Sequence, residues 1–564
     1  MKDIIEMYVL KNSIDFNGKA NANAVLGRVL ADHPEFKTDV RSVMQEIHKL
    51  IKEVEKISIA EQIKKLEKSA PDLLHEQKVV KQKETILPNA EKGKVVVRFA
   101  PSPSGPLHLG HAYVLSLNSE LAKKYDGKLI LRLEDTNPAN IYDKAYTMIH
   151  QDAQWLTHGN VAEVIVQSDR LGHYYDYAEK LIEKGHAYVC LCNPDNYKRL
   201  LSDGKPCPCR NLPAKEQHVR YAKMFTEYKP GEAVMRMKTQ IDDPNPAMRD
   251  FALLRINEFI HPRHKTQHRV WPLMNFSVAI DDHLLGVTHA IRGKDHRDNE
   301  KRQRKIAESF GWTMPVALFV GKINFTDIRL KTSVTKKEIL EKKYSGWDDI
   351  RLPFLLALKR RGYQPDAFIK YAMDVGLTET DKKLSKQEFF KAINNFNKEI
   401  IDSQANRYFF VADPVEITID GAPEKSVQVP LHPSFEARGY REFKTHKHFI
   451  ISSKDYDALA ESKLHRLMEC VNFTRKGSQF MFDSLDHPSF KNAKNRGMII
   501  HWLPKGTELC SVEVMLEDGS KIIGKCEHRL KDLPEGSIVQ FERFGFCRLD
   551  KKHKNHLEFW FTHQ

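Results

Sequence analysis

Apolar residues recur every three or four positions through the first 75 residues. The stretches LGRVLADHPEF, VRSVMQEIHKLIKEVEKI and ISIAEQIKKLEKSAPDLL carry charges between them and predict amphipathic helices. Such a module either packs and solubilises or contacts RNA. VVKQKETILPNAEKG (79–93) breaks the pattern as a linker. The period then changes. Val95, Val96 and Val97 predict a buried strand, and Pro101, Pro103, Gly105 and Pro106 end it. A helix follows from about Leu107 into LSLNSELAKKY. KLILRLEDTNPAN repeats the strand-then-turn pattern with Glu134 and Asp135 at its end, where a parallel sheet binds ligands. Long amphipathic stretches such as YYDYAEKLIEKG between strands predict a doubly wound sheet. From 406 onward short alternating runs (RYFFVADPVEITIDG, KSVQVPLHPSF, TELCSVEVMLEDGSKIIGKCEH, SIVQFERFGFCRLD) with Gly, Pro and Asp turns predict β-barrels.

Length and charge narrow the picture. A chain of 564 residues exceeds one core, and roughly three to five domains are expected. No apolar run approaches a membrane span and no signal peptide is evident, so a cytoplasmic location is expected. The net charge of +14 points to a polyanion, nucleic acid before membrane, although 75 acidic residues are interspersed with 89 basic ones.

His108 and His111, three apart, would share a helix face beside free N–H groups and the helix dipole. The stretch reads as a polyphosphate site or as a tight turn followed by two surface histidines. Glu134 and Asp135 could hold an ammonium group or cap a turn. Cys190, Cys192, Cys207 and Cys209 form two thiol pairs across a loop, suited to a structural zinc or left as free thiols. Cys470, Cys510, Cys526 and Cys547 show no ligand spacing.

Taken together these stretches resemble class I aminoacyl-tRNA synthetases of the glutamyl/glutaminyl type. His108-Leu109-Gly110-His111 is similar to the HIGH signature of that family. Arg98 to Gly105 and Arg132 to Pro138 resemble its subgroup-specific stretches. So do Ser168-Asp169-Arg170, GEAVMRMKTQIDDPNPAMRDFALLRI, Ala290 to His296 and Tyr344 to Asp349. Arg329-Leu330-Lys331-Thr332-Ser333 is the best counterpart of the mobile KMSKS loop, with Thr332 where the second lysine belongs and Lys331, Arg329 or Lys336 to compensate. The β C-terminus resembles the archaeal-type branch. Tyr440-Arg441-Glu442-Phe443-Lys444 would offer stacking and charge to an anticodon, or form plain barrel surface.

The resemblance implies a multidomain α/β fold. Its expected parts are an N-terminal helical module (1–78), the linker (79–93), a Rossmann-like catalytic domain in two halves (94–184 and 257–328) around an acceptor-stem insertion (185–256), the KMSKS-like loop with a helical stem-contact domain (329–402), and a β-barrel anticodon region (403–564). It implies ATP-dependent formation of glutamyl-adenylate and transfer to tRNA(Glu), with tRNA(Gln) a further acceptor, Mg2+ assisting, and a monomer. A glutaminyl enzyme or a non-catalytic tRNA-binding paralogue is the alternative. By the same resemblance, His108, His111, Arg329, Lys331 and Ser333 are catalytic. Arg98, Ser102, Glu134, Asn275 and Arg292 bind the amino acid, Asn275 standing beside Met274 where a tyrosine is common. Pro101 and Gly110, with both histidines and Lys331, bind ATP, and Cys190, Cys192, Cys207 and Cys209 hold zinc.

Overall fold

The computed structural model describes residues 1–16, 18–71, 73 and 85–564; the expected linker lies outside them up to 84. The chain divides into two units, Met1–Glu84 and Thr85–Gln564.

The first unit holds helices α1 (Lys2–Asp15), α2 (Ala22–Asp32), α3 (Val40–Val54) and α4 (Ile59–Ser69). Val43, Ile47, Leu50 and Val54 line one face of α3 and are buried against Ile5, Val9, Val25, Val29 and Leu66. Ser58 and Glu61 close a capping box that starts α4.

The second unit begins with β1 (Val96–Phe99), α5 (Leu109–Lys124), β2 (Lys128–Leu133), α6 (Ala145–Leu156), β3 (Glu163–Val166) and α7 (Leu171–Glu183). Four antiparallel strands follow: β4 (Ala187–Cys190), β5 (Val234–Met237), β6 (Ala252–Ile256) and β7 (Val270–Pro272). This sheet runs past residue 256, because Val270 and Trp271 bury their side chains in a core that these strands share with α7 and with Phe276, Ala279 and Ile280. The nucleotide-type fold then resumes with α8 (Met274–Leu284), β8 (His289–Gly293), α9 (Arg297–Phe310) and β9 (Val316–Val320).

The central sheet has the order β3-β2-β1-β8-β9 and every pair is parallel. The order reverses at β1, so the crevice for a ligand opens beyond the carboxyl ends of β1 and β8. Leu355, Leu358, Phe368, Tyr371, Phe389 and Ile393, from the helices Leu355–Arg361, Pro365–Val375 and Lys386–Ile401, share one core with Leu115, Leu117 and Leu121 of α5. The helical segment after 329 is thus built into the same core that supports β1 and α5.

Beyond 405 the chain forms two seven-stranded sheets. The outermost strands of the first, Asn406–Tyr408 and Phe410–Ala412, are separated only by Phe409. Those of the second, Arg496–Ile500 and Leu503–Pro504, are separated by two residues. Each sheet therefore curls nearly into a barrel, which leaves little edge exposed. The chain enters the first sheet, leaves to build the second from 414 to 504, and returns at 509. Among the described residues no helix is long and apolar enough to cross a membrane.

Candidate active site

The turn between β1 and α5 places the two histidines. His108 stands outside the first helical turn, as the N-cap of α5, because its backbone is extended (φ −118°, ψ 175°). Its Nδ1 accepts the Gly110 N–H at 3.1 Å, and its own backbone N–H donates to His111 Nδ1 at 3.3 Å. The rings stack with centroids 3.7 Å apart and planes 17° off parallel. A ring whose Nδ1 accepts a hydrogen bond carries its proton on Nε2, so both imidazoles present Nε2–H. Burial lowers His108 to about 4 and pushes His111 well below the ordinary range, with His108 adding to the second effect. Both rings are neutral donors at pH 7. Gly110 permits the stack, since a side chain there would stand 3.1 Å from His108 Cε1.

Next to this pair lies a cavity of about 290 Å³. Arg98, Pro101, Ser102, His111, Glu134 and Arg292 line it, and so do Met274, His296 and Gln303. Arg98 leaves the end of β1 and Arg292 the end of β8, so neighbouring parallel strands deliver two guanidiniums to one place. Arg292 Nη1 donates to Gln303 Oε1 at 2.8 Å, while its buried Nε and Nη2 have no hydrogen-bond partner among the described residues. Burial, reinforced by Arg98, lowers Arg292 to about 10, still a cation at pH 7. A half-satisfied buried guanidinium facing a cavity suits a carboxylate ligand.

The cavity has a support that sequence reasoning passed over. Asp282, on α8, pairs with Arg132 at 2.6 Å and with Arg98 at 3.4 Å, and its Oδ2 stands 3.8 Å from Arg292 Nη2. Arg132 also reaches Glu134 at 3.1 Å. Both Arg132 and Asp282 are buried, and the signal for each was a charge inside an apolar run, Arg132 in KLILRL and the Asp281-Asp282 pair in MNFSVAIDDHL. Burial raises the Glu134 carboxyl, offset by Arg132 and Arg98.

Two candidate residues stand away from the cavity wall. Asp135 does not share the cavity with Glu134. Its carboxylate is fully buried and accepts from the Ser168 N–H (2.8 Å), Ser168 Oγ (2.7 Å) and Tyr146 Oη (2.7 Å). Burial alone would raise that carboxyl, but His261, Ser168 and Tyr146 together hold it below the usual range. Adjacent residues leaving a strand point to opposite sides, which separates the two acids. Asn275 stands behind the cavity, donating to Asn299 Oδ1 and accepting from Gln303 Nε2, and Met274 takes the lining position.

The residues 329–333 border a second recess of about 750 Å³, lined by Arg329, Leu330 and Lys331 but not by Ser333. Thr332 and Ser333 open the helix Thr332–Leu340, with Lys331 at its N-cap. The Thr332 methyl packs on Gly105, where any Cβ would come within 3.0 Å of it, and Trp347 closes the other side. Lys336 lies 4.7 Å from the Tyr142 ring centroid, which leaves Arg329 and Lys331 as the exposed cations next to the turn. Asp349 fastens this segment: it accepts from Ser345 N–H and Oγ and from Arg351, and these donors hold it at about 2 against the effect of burial.

Sequence comparison agrees with this geometry. Residues 94–402 match the catalytic domain of class I tRNA synthetases (E and Q), and residues 405–496 and 499–550 match the two anti-codon binding domain families of the same group. A glutamate–tRNA ligase of Methanocaldococcus jannaschii is 43% identical over 98% of both chains. One from Methanococcus maripaludis is 42% identical over 100% of both, and one from Pyrococcus furiosus 43% over 96% of both. The chain belongs to the class I (E and Q) tRNA synthetases.

Within this family the remaining features find their setting. In the insertion, Cys190 and Cys207 Sγ stand 3.8 Å apart, as do Cys192 and Cys209 Sγ, and all four sulfurs lie within 4.8 Å of one another. Disulfide sulfurs would be about 2.05 Å apart. A tetrahedron with Zn–S bonds of about 2.3 Å has edges of about 3.8 Å, so the donor set and its spacing fit zinc. The Leu191 N–H donates to Cys209 Sγ at 3.4 Å, a bond that suits a thiolate. Cys470, Cys510, Cys526 and Cys547 are buried core thiols.

In the anticodon region the strand Tyr440–Thr445 alternates strictly, and this removes two of the five stacking candidates. Arg441 is buried, paired with Glu527 at 2.6 Å and stacked 4.4 Å from the Phe409 ring. Phe443 is buried in the barrel core. Tyr440, Glu442 and Lys444 face outward.

Proposed function

We propose that this synthetase is a glutamate–tRNA ligase. The observation that carries the reading is Arg292, buried, cationic and half unpartnered at the wall of the cavity beside the stacked histidines. A glutamine side chain offers an amide there and gives no reason to bury a second guanidinium.

Arg98 and Arg292 clamp the two carboxylates of glutamate, and Glu134 takes the ammonium. The α-carboxylate attacks the α-phosphate of ATP, pyrophosphate leaves, and glutamyl-adenylate remains. His108 and His111 supply neutral Nε2–H donors to the charge that builds on the α-phosphate. Arg329 and Lys331, held against the turn through Thr332 and Gly105, meet the departing pyrophosphate, and Mg2+ accompanies the nucleotide. A terminal hydroxyl of the tRNA then attacks the acyl carbon. The work is positioning and electrostatics, with no covalent enzyme intermediate.

Cys190, Cys192, Cys207 and Cys209 would hold a structural zinc that ties the β4 end to the loop at 207–209 of the acceptor-stem insertion. The reading includes action as a monomer in the cytoplasm, with tRNA(Gln) as a second acceptor. Parallel charging of purified tRNA(Glu) and tRNA(Gln) with glutamate and with glutamine tests it. Glutamate transfer about 10⁴-fold above glutamine is expected, the scale of rejecting a substrate that leaves a buried polar group unpaired. Preferential glutamine transfer would overturn it.

A further inference from the structure

We propose that Arg132 is a positioning residue that sets glutamate specificity by withholding Asp282 from Arg292. The proposal rests on the glutamate-ligase reading of the same cavity and adds a residue that does not line it.

Three guanidiniums (Arg98, Arg132, Arg292) surround two carboxylates (Asp282, Glu134) at the base of the cavity. The cluster therefore carries one surplus positive charge. Asp281, next in sequence to Asp282, is spent elsewhere on Arg170, Gln167 and Tyr174. Glutamate, with two carboxylates and one ammonium, brings one net negative charge and closes the balance. Glutamine brings none.

The distances show how the surplus is kept on Arg292. Asp282 Oδ1 is drawn to Arg132 at 2.6 Å, and Asp282 Oδ2 stops 3.8 Å from Arg292 Nη2, too far for a hydrogen bond. Among the described residues Asp282 Oδ2 itself has no hydrogen-bond partner, nor do Arg292 Nε and Nη2. A carboxylate and a guanidinium thus face each other across a gap of about one ångström beyond bonding distance, both buried and both under-satisfied. Closing that gap would quench Arg292 within the protein. Arg132 is fully buried on β2 and fixed at its other end by Glu134, and so it anchors the carboxylate on the far side. The fork that remains is open to a ligand carboxylate.

Three proteins decide the matter: wild type, Arg132→Met, and Arg132→Met with Asp282→Asn. The first substitution leaves Asp282 to the longer 3.4 Å contact with Arg98, from which it can close on Arg292, and brings the cluster to net zero. The second removes the quenching charge and restores the surplus of one. In steady-state aminoacylation, Arg132→Met should raise the glutamate KM at least about tenfold with kcat within about threefold, and lower the glutamate-over-glutamine preference by a similar factor. The double variant should return KM to within about threefold of wild type. A role confined to stability predicts that Asp282→Asn rescues the melting midpoint, because it removes the charge that Arg132→Met strands, with the glutamate KM and the glutamate-over-glutamine preference unmoved in either variant. Arg132→Gln and its own Asp282→Asn double carry the same test if Arg132→Met fails to fold. A double variant as poor as the single, or a single with unchanged KM, overturns the role of Arg132. Wild type is measured first: if it does not prefer glutamate, the functional reading itself fails.

Discussion

Gly105 is where the β1–α5 turn meets the segment that carries Arg329 and Lys331, and on the proposed function a single methyl there should uncouple the two. A Cβ at 105 would lie less than 3.0 Å from the Thr332 methyl and 3.3 Å from Trp347. Carbon atoms rest about 3.5–4.0 Å apart, so Thr332 must retreat by at least about 1 Å. Trp347 is pinned against Phe354 and Tyr142 and cannot absorb the shift. Thr332 opens the helix that follows Arg329 and Lys331, so both cations move with it. A displacement of about 1 Å at a reacting centre costs about 100-fold in rate. Overpacking alone costs about 1–3 kcal/mol of stability. Gly105→Ala should therefore lower ATP–pyrophosphate exchange by about two decades, measured with tRNA present, while the protein stays folded in a thermal melt. Gly105→Ala combined with Thr332→Ser removes the offending methyl and should recover about tenfold. Exchange by Gly105→Ala within about twofold of wild type would refute the contact's role.

Three other expectations are open to measurement. His111→Ala should slow adenylation by about two to three decades, the scale for losing one transition-state donor, with an unchanged single-turnover rate as the contrary result. Asp152, which accepts the Leu107 N–H at 3.0 Å, is raised by burial from 3.8 to about 7. Between those values the folded state keeps a proton that the unfolded state releases, so this group loses stability for the fold as pH rises. Asp152→Asn should hence gain in melting midpoint over wild type as pH climbs from 4 to 7 and level off above, whereas a pH-independent gap would contradict the burial argument. The purified protein should carry about one zinc per chain, and Cys207→Ser should lose most of it and melt earlier, as metal binding is coupled to folding; metal-free protein with an unaltered melt would refute the site.

The parallel sheet, the helices of the first unit and the strand-rich C-terminus follow from hydrophobic period, because burial on one face or on two leaves a direct trace in the chain. The turn chemistry at 101–106 and the histidines three apart were likewise readable, since they depend on neighbours in sequence. So was Arg292, once the resemblance identified its stretch. Within 440–444, Arg441 and Phe443 turn inward, because composition says what a segment contains, while strand alternation decides which side chains reach water. Asp135 and Asn275 stand off the cavity for a related reason: each sits beside a lining residue, and one position along a strand or helix changes the direction a side chain takes.

What lay beyond any local pattern was the charge cluster under the cavity. Asp282 meets Arg132 across 150 positions and Arg98 across 184. Gly105 meets Thr332 only because one core joins α5 to the helices after 355. Local order is written in period and turn residues, because these act over a few bonds. Which charges are paired, and which are left open for a substrate, depends on distances of a few tenths of an ångström between strands and helices remote in the chain, and packing alone sets those.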